Sequence, residues 1–335
     1  MSQLEARRIV LASRPKGKPT TENFRTETVL LSSPSPGEVL VKALYLSVDP
    51  YMRGRMSESK SYVPPYEIGG VVGGGAVAEV VESNDDRLQP GDIVSGQFGW
   101  QTYAIVPAKH LRKIDPALAP ITASLGLLGV TGLTAYFGLV DICKPQRNET
   151  VVVSGAAGAV GMTVGQIAKI LGCRVVGVAG SDEKVRYLTE QLGFDEAINY
   201  KTAENMTRAL KHACPNGIDV YFDNVGGDIS DAAFRNLNTG ARISVCGQIA
   251  LYNLEQPDVG PRLLTPILIH RALVKGFIIT DYADRFPEGV QQLAKWYRDG
   301  QLKFEETIAE GFDQTVEAFL GLFTGANLGK QIVRV

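Results

Sequence analysis

Residues 151–161 read VVVSGAAGAVG, and this stretch decides the fold of the second half of the chain. The valines predict a buried strand, the glycines predict a tight turn, and the apolar MTVGQIAKIL at 162–171 predicts a helix. The glycines Gly155, Gly158 and Gly161 are spaced GxxGxxG. Because a helix that starts directly after a strand offers unpaired N–H groups to an anion, the stretch predicts a site for a nucleotide phosphate. The alternative is a purely structural glycine turn.

Length and composition narrow the class of protein. A chain of 335 residues exceeds one ordinary core and predicts two domains. With 44% hydrophobic residues and a net charge of −2, the chain is expected to be globular with no nucleic-acid partner. Its apolar runs are short or interrupted, so no membrane span is expected, and MSQLEARRIV lacks the apolar region of a secretory signal. The four scattered cysteines predict buried free thiols in a reducing cytoplasm.

The pattern of the sequence changes along the chain. Between about residues 7 and 110, turns separate β-rich segments such as FRTETVLL, GEVLVKALYLSV, GGVVGGGAVAEVVES, PGDIVSG and WQTYAIVP. The segment ITASLGLLGVTGLTAYFGLV, from residue 121, predicts helical structure. From residue 150, the strands TVVVS, RVVGV, AINY, IDVYFDNV and ARISVCG alternate with helices, which predicts a parallel sheet covered on both faces. A helix near 314–323 and a final strand, QIVRV, close the chain.

The end of the second strand of this alternation bears on the choice of nucleotide. An NAD site usually carries Asp or Glu there, to accept hydrogen bonds from the ribose 2′-OH. Here RVVGV runs into Ala179, Gly180 and Ser181, and Lys184 follows. Ser181 and Lys184 suit a 2′-phosphate, so the sequence favours NADP(H). The alternative is that Ser181 only caps the following helix while Lys184 is solvated.

Motifs over nearly the whole chain resemble one family. These are SVDPYMRGRM at 47–56, PGDIVSG at 90–96, AAGAVG, VGQIAKILGCRVVGVAGSDEK, LGFDEAINYKT, IDVYFDNVGG, CGQIALYN and GANLGKQIV at 325–333. They are similar to the zinc-independent medium-chain dehydrogenase/reductases, in the branch of leukotriene B4 12-hydroxydehydrogenase, prostaglandin reductases, alkenal double-bond reductases and curcumin reductase. The resemblance implies an α/β protein with a GroES-like β-rich domain (1–126 and 299–335), a Rossmann domain (127–298), NADP(H) in the cleft between them, and a homodimer.

The resemblance also implies a set of cofactor contacts. The pyrophosphate would lie against Gly158, Ala159, Val160 and Gly161, and the 2′-phosphate against Lys184 and Tyr200, alongside Ser181, which its own place after the second strand suggests. The remaining contacts would come from Asn224, Cys246, Gly247, Tyr252, Phe277, Ile278, Ile279 and Asn327. The residues alone leave other readings open, because Tyr200 also suits a half-buried sheet edge and Asn327 a turn.

No catalytic zinc is expected. Zinc-dependent relatives carry a GHE motif where this chain has EIGGVVGGG at 67–75, without histidine. The three histidines, His110, His212 and His270, are isolated in the sequence. A zinc site needs converging Cys, His and carboxylate ligands, and this sequence offers no such set.

The resemblance implies reduction of the C=C bond of α,β-unsaturated aldehydes and ketones by NADPH. Tyr252 matches a tyrosine proposed to protonate or stabilise the enolate, with water as the other proton source, and Tyr51 matches a tyrosine that lines the substrate pocket. Either tyrosine also suits a core or lid position with its hydroxyl bonded to main chain. Three alternatives stay open: a quinone reductase, oxidation of a hydroxyl group on a lipid mediator with NADP as the acceptor, and an NADPH-binding redox sensor without turnover.

Overall fold

A computed structural model describes residues 4–335 of the chain, so the first three residues of the predicted 1–126 domain lie outside the described residues. The strands are β1 (Leu4–Leu11), β2 (Phe24–Leu31), β3 (Glu38–Ser47), β4 (Ala76–Ser83), β5 (Ile93–Gly96), β6 (Tyr103–Pro107), β7 (Arg112–Lys113), β8 (Thr150–Ser154), β9 (Arg174–Ala179), β10 (Glu196–Asn199), β11 (Ile218–Asp223), β12 (Leu237–Val245), β13 (Leu273–Gly276), β14 (Glu306–Glu310) and β15 (Lys330–Arg334).

The α-helices are α1 (Tyr51–Arg55), α2 (Val130–Tyr136), α3 (Ala159–Ile170), α4 (Asp182–Arg186), α5 (Met206–Ala213), α6 (Gly227–Phe234), α7 (Leu264–His270), α8 (Phe286–Arg298) and α9 (Thr315–Gly321). Wider π-helical turns continue α2 over Phe137–Cys143 and α4 over Tyr187–Gln191. In the described part of the chain, no helix combines the length and the apolar character that crossing a membrane requires.

Contacts between residues divide the described chain into two units. The first unit comprises residues 4–125, Glu306–Asn327 and Gln331–Val335. The second unit comprises Gly126–Glu305 and Leu328–Lys330. Each unit has its own sheet and its own buried core, as expected when a chain of this length exceeds a single core.

The described residues of the second unit form a six-stranded sheet in the order β10-β9-β8-β11-β12-β13, with every pair parallel. The centre of this sheet is β8, whose five residues are all buried, as the run of valines in TVVVS predicts. The order of the strands reverses between β8 and β11. Ligands of such sheets bind outside the carboxyl ends of the strands at this reversal, so the topology places a candidate site after Ser154 and Asp223.

The first unit is built on a sheet in the order β14-β15-β3-β4-β5-β7, with β6 added to β3, and its pairs β15-β3, β3-β4, β3-β6, β4-β5 and β5-β7 are antiparallel. Its core includes three packed aromatic rings, those of Phe24, Trp100 and Phe319, with centroids 5.6–6.0 Å apart. The Trp100 indole N–H donates to the carbonyl of Ser47 at 3.1 Å, which satisfies its polar atom inside the core. The predicted fold class, a β-rich domain with a Rossmann domain, is therefore confirmed.

Two segments differ in detail from the sequence prediction. The segment from residue 121 is helical, as predicted, but it is divided: a 3-10 turn (Ile121–Leu125) and a loop precede α2, and a π-helix follows it. A Cβ at Gly138 would lie 2.6 Å from the Phe277 ring and 2.8 Å from the Phe222 ring, so tertiary packing decides this segment. Within GGVVGGGAVAEVVES only Ala76–Ser83 is a strand. The main chain of residues 70–75 bonds to β1, Gly99 and Ser47 in turn and forms no continuous ladder.

The predicted burial of free thiols is confirmed for Cys143, Cys173 and Cys214, whereas Cys246 is half-buried as a residue. Desolvation raises the pKa of the thiols of Cys143, Cys214 and Cys246 to about 12 and that of Cys173 to about 11.

Helix α3 packs against Phe194 at Gly165, where a Cβ would lie 1.9 Å from the ring Cζ. We expect Gly165→Ala to lower the free energy of unfolding by about 1–3 kcal/mol, because the buried ring must shift. The control is Gly54→Ala in α1, where a Cβ meets no atom within 4 Å. Chemical denaturation should show an unchanged free energy of unfolding for the control. Equal decreases in the free energy of unfolding of both variants would contradict the packing of Gly165 against Phe194.

Candidate nucleotide-binding site

The glycine-rich turn between β8 and α3 is closed tightly enough to exclude a side chain at Gly161. Gly155 has a left-handed φ of +58°, and its carbonyl accepts the Gly158 N–H at 3.0 Å. A Cβ at Gly161 would lie 2.4 Å from the Gly155 carbonyl oxygen and 2.7 Å from Cα of Ala156. A side chain at Gly161 would therefore clash with the turn from strand to helix, as the sequence spacing predicts, whereas a Cβ at Gly158 would meet only the Gly155 carbonyl oxygen at 3.4 Å.

The first residues of α3 can accept an anion. Gly158 is the N-cap residue and provides no side-chain cap, so the first N–H groups of the helix are not bonded by that residue. Gly158, Ala159 and Val160 are half-buried, and Gly161 is buried. Gly329 pairs with Gly158 in a parallel bridge and donates its N–H to Ala157 at 2.9 Å, which holds the turn from its other side. This geometry suits a pyrophosphate.

The ends of β9 and β10 bring together the residues predicted for a 2′-phosphate. Ser181 is the N-cap of α4, and its Oγ accepts the Lys184 N–H at 3.3 Å. Ser181 therefore caps the helix, and this role does not exclude contact with a phosphate. A Cβ at Gly180 would lie 3.0–3.3 Å from the Tyr200 ring, which shows that the ring covers the end of β9. Burial, followed by repulsion from Lys201, lowers the pKa of Lys184. Lys184 and Lys201 are thus a positive pair whose repulsion the Glu183 carboxylate partly offsets, and a phosphate dianion would stabilise both charges.

At the reversal of strand order, Asn224 joins β8 to β11. Its side-chain amide donates to the Ser154 carbonyl at 2.7 Å, and its main-chain N–H donates to the Ser154 hydroxyl at 2.9 Å. The N–H groups of Cys246 and Gly247 donate to the Asp223 carbonyl at 2.9 and 3.1 Å, which holds the segment after β12 beside the same strand end. Both predicted segments thus border the crevice of the sheet.

Tyr252 closes the short 3-10 turn Ile249–Leu251. Its hydroxyl oxygen accepts the Gln248 N–H at 3.4 Å, and it would lie 3.2 Å from a Cβ at Gly247. The hydroxyl is thus over the main chain of Gly247 and Gln248, next to the carboxyl end of β11.

The other predicted contacts differ in character. The Phe277 ring is buried against Gly138 and Tyr282, so Phe277 can offer a ligand only its main chain. The Ile278 N–H donates to the Asp281 carboxylate at 3.2 Å, and Ile279 begins a 3-10 turn. Asn327 is half-buried in the turn between α9 and β15, two residues before Gly329.

In the first unit, Tyr51 is the first residue of α1 and packs against the core. Burial and the nearby Asp49 carboxylate raise its pKa well above the usual value, so the phenol keeps its proton. Tyr66 is close by, with its hydroxyl donating to the Gly73 carbonyl at 2.7 Å and the Arg55 guanidinium 4.2 Å above its ring. Tyr51 is half-buried and Tyr66 is buried, and burial raises the pKa of both phenols, so both keep their hydroxyl protons.

Within residues 4–335, no group of three or more His, Cys, Asp and Glu side chains is placed to hold a metal ion.

Comparison with known proteins identifies the family. Residues 7–114 match the family described as the N-terminal domain of oxidoreductase, and residues 159–295 match the family described as zinc-binding dehydrogenase. The chain is 47% identical over 334 residues to the NADPH-dependent curcumin reductase of Escherichia coli (strain K12), covering 98% of this chain and 96% of that one. The chain belongs to the zinc-independent medium-chain dehydrogenase/reductases.

Two further similarities agree with this assignment. The NADP(+)-dependent 2-alkenal reductase of Nicotiana tabacum is 41% identical over 338 residues, which cover 99% of this chain and 98% of that one. The crystal structure of CurA from Vibrio vulnificus in complex with NADPH is 42% identical and superposes with a TM-score of 0.93, covering 98% of this chain and 99% of that one. This member of the family is an NADP-dependent oxidoreductase.

The residues of the second unit fit NADP(H). The turn without side chains at Gly161 suits the pyrophosphate, and the positive pair Lys184 and Lys201 suits the 2′-phosphate, with no carboxylate at the tip of β9. Lys201 was missed in the sequence, although it directly follows Tyr200 in the INYKT motif. The signal that could have identified Lys201 is a positively charged residue just after the end of a predicted parallel strand, where a phosphate is expected to bind.

We expect Lys184→Ala and Lys201→Ala each to raise the Kd of NADPH by about tenfold or more, because a charged hydrogen bond is worth about 1.5–3 kcal/mol. The Kd of NADH should stay within about twofold, since NADH has no 2′-phosphate. Titration of cofactor fluorescence measures both constants. The matched control is Lys211→Ala, which removes an exposed lysine from α5 and should change neither. Equal weakening of NADH and NADPH would contradict the placement of the phosphate.

Proposed function

We propose that this oxidoreductase reduces the C=C bond of α,β-unsaturated aldehydes and ketones. The single observation that supports this most strongly is its similarity over nearly full length to a curcumin reductase and a 2-alkenal reductase, whose named substrates contain that conjugated group. The site adds chemical support, because its candidate reacting groups are tyrosine hydroxyls. Hydroxyl donors suffice for a reaction in which charge builds on a carbonyl oxygen.

NADPH, when bound, supplies the hydride that reaches the β-carbon of the substrate. The protein's own part is to hold the cofactor and to manage the charge and the proton that follow. Gly158, Ala159, Val160 and Gly161 would hold the pyrophosphate, and Ser181, Lys184, Tyr200 and Lys201 the 2′-phosphate. Asn224, Cys246, Gly247, Phe277, Ile278, Ile279 and Asn327 would border the rest of the cofactor.

Tyr252 is our candidate for the proton-donating or enolate-stabilising group. Its hydroxyl lies beside the end of β11 and accepts the Gln248 N–H at 3.4 Å, and a phenol can also donate its own proton to a substrate oxygen. A phenol that donates to the carbonyl oxygen stabilises the enolate, and the α-carbon then takes a proton from the phenol or from water.

Tyr51 is our candidate for substrate contact. Burial and Asp49 raise its pKa, so the phenol remains a hydrogen-bond donor throughout the neutral range. An apolar ring with a protonated hydroxyl suits a conjugated carbonyl compound, which has one polar oxygen on an apolar body.

The experiment that tests the function follows NADPH oxidation with a 2-alkenal, an alkenone, a quinone and a saturated aldehyde, each repeated with NADH and with a chelator. We expect turnover of the enal and enone only, dependent on NADPH and unaffected by the chelator. Tyr252→Phe should lower kcat by about 10²-fold or more, as loss of a general acid does, while the Kd of NADPH stays within about twofold. Turnover of the quinone alone would overturn the proposal, and NADPH binding without any turnover would favour a sensor.

We also propose a homodimer formed through the outer edge of the parallel sheet. The edge strand β13 has no strand on its outer side among the described residues, and all four of its residues are exposed. It adjoins α7, and the two elements expose five large apolar side chains to between 38% and 78%, namely Leu264, Leu268, Ile269, Leu273 and Val274. An edge strand pairs readily with its own copy about a two-fold axis, and this pairing would also cover the apolar side chains.

Sedimentation velocity tests the dimer. The wild-type protein should sediment as a dimer, and Leu268→Asp should shift it to the monomer, because a charge cannot be buried unpaired in such a contact. The control is Leu30→Asp in β2, where Leu30 is 57% exposed and far along the chain from this surface. A monomeric wild type, or a dimer that survives Leu268→Asp, would rule this surface out. We infer a cytoplasmic location, which the buried free thiols of Cys143, Cys173 and Cys214 support.

A further inference from the structure

A buried carboxylate lies at the point where the strand order reverses. Asp223 ends β11 and is 2% exposed. Within residues 4–335 it accepts six hydrogen bonds of 2.6–3.0 Å, from Ser154 Oγ, Tyr221 Oη, the N–H groups of Val225 and Gly226, Ser230 Oγ and Gln248 Nε2. These donors are hydroxyl, amide and main-chain groups. A buried carboxylate needs such donors to offset the loss of its hydration, so the donors are held in place by the charge that they surround.

The donors come from different parts of the second unit. Ser154 ends β8, the N–H groups belong to the turn before α6, and Ser230 lies within α6. Gln248 comes from the segment after β12, and its amide donates to Oδ2 of Asp223 at 2.8 Å. The side chain also lies against the main chain of the turn, since a Cβ at Gly226 would be 2.3 Å from Gln248 Oε1. Of the side chains bonded to this carboxylate, Gln248 is therefore the one that reaches the segment carrying Tyr252.

The main chain of that segment is bonded to the same strand end. Cys246 and Gly247 donate to the Asp223 carbonyl, and Ala250 donates to the Val225 carbonyl at 3.0 Å. The Tyr252 hydroxyl oxygen in turn accepts a hydrogen bond from the Gln248 N–H at 3.4 Å. A chain of contacts thus runs from the buried carboxylate, through the side chain and main chain of Gln248, to the hydroxyl of Tyr252.

We propose that Asp223 and Gln248 are positioning residues for the reduction, and that the Asp223–Gln248 hydrogen bond sets where the Tyr252 hydroxyl lies. This inference rests on the proposed function of Tyr252. Neither residue touches the reacting atoms. Their effect is to orient the segment Cys246–Tyr252, and a hydroxyl displaced by a fraction of an ångström stabilises an enolate less well.

The test variant is Gln248→Met, which keeps the length of the side chain and removes the amide donor. Asp223 keeps its other five donors, so the fold should persist. The matched control is Ser230→Ala, which removes the 2.6 Å bond to the same carboxylate oxygen but from α6. At saturating NADPH, we expect Gln248→Met to lower kcat for an enone by about tenfold and Ser230→Ala to leave kcat within about twofold.

Two readouts separate positioning from general damage to the structure. Hydrogen exchange at the amides of residues 246–250 should accelerate in Gln248→Met and stay at the wild-type rate in Ser230→Ala. In a Tyr252→Phe background, Gln248→Met should cost no further activity, because the hydroxyl that it positions is gone.

The outcomes distinguish this inference from the proposed function. Unchanged exchange in Gln248→Met, or a loss of kcat that adds fully to that of Tyr252→Phe, would overturn the positioning role. A Tyr252→Phe enzyme as active as the wild type would instead overturn the proposed role of Tyr252, whatever exchange shows. Equal losses of kcat in Gln248→Met and Ser230→Ala would assign the network to stability alone and would also overturn the inference.

Discussion

The closed turn between β8 and α3 is the constraint on which the second unit depends. The Gly155 carbonyl lies where a Cβ of Gly161 would be, so only glycine fits there. The helix can therefore start directly after the end of the central strand. The N–H groups of α3 therefore face the crevice at the reversal of strand order. A side chain at this point would move the helix away from the sheet and, with it, the surface suited to the pyrophosphate.

Much of the fold could be predicted from sequence because its signals are local. The valine runs of β8 and β9 are buried on both sides, as central parallel strands require, and FRTETVLL coincides with β2. The helical character of the stretch from residue 121 could be predicted, but its division into separate helical segments could not. Its path depends on how closely Gly138 approaches the rings of Phe222 and Phe277, and these residues are distant in sequence. The π-helical turn that results has no signature in a hydrophobic pattern.

In the candidate site, too, some residues could be predicted from the sequence and others could not. Lys184 and Tyr200 follow directly from motifs, and the structure places both at the ends of β9 and β10, although their contact with the cofactor remains a prediction. The hydrogen bonds of Asp223 could not have been foreseen. One donor, Ser154, lies 69 residues before it, and another, Gln248, lies 25 residues after it. In the sequence Asp223 is only an acidic residue at the end of an apolar strand, and its partners meet only in the folded sheet.

The state of the thiols matters for an enzyme whose proposed substrates are electrophiles. Conjugated aldehydes alkylate cysteines, and the attacking species is the thiolate. In this protein, desolvation keeps each cysteine protonated at neutral pH, including Cys246, which borders the crevice itself. Because little thiolate is present at neutral pH, we expect conjugated aldehydes to alkylate these four cysteines slowly. Such protection would come from the desolvation of the thiols and would not require a sequence without cysteine.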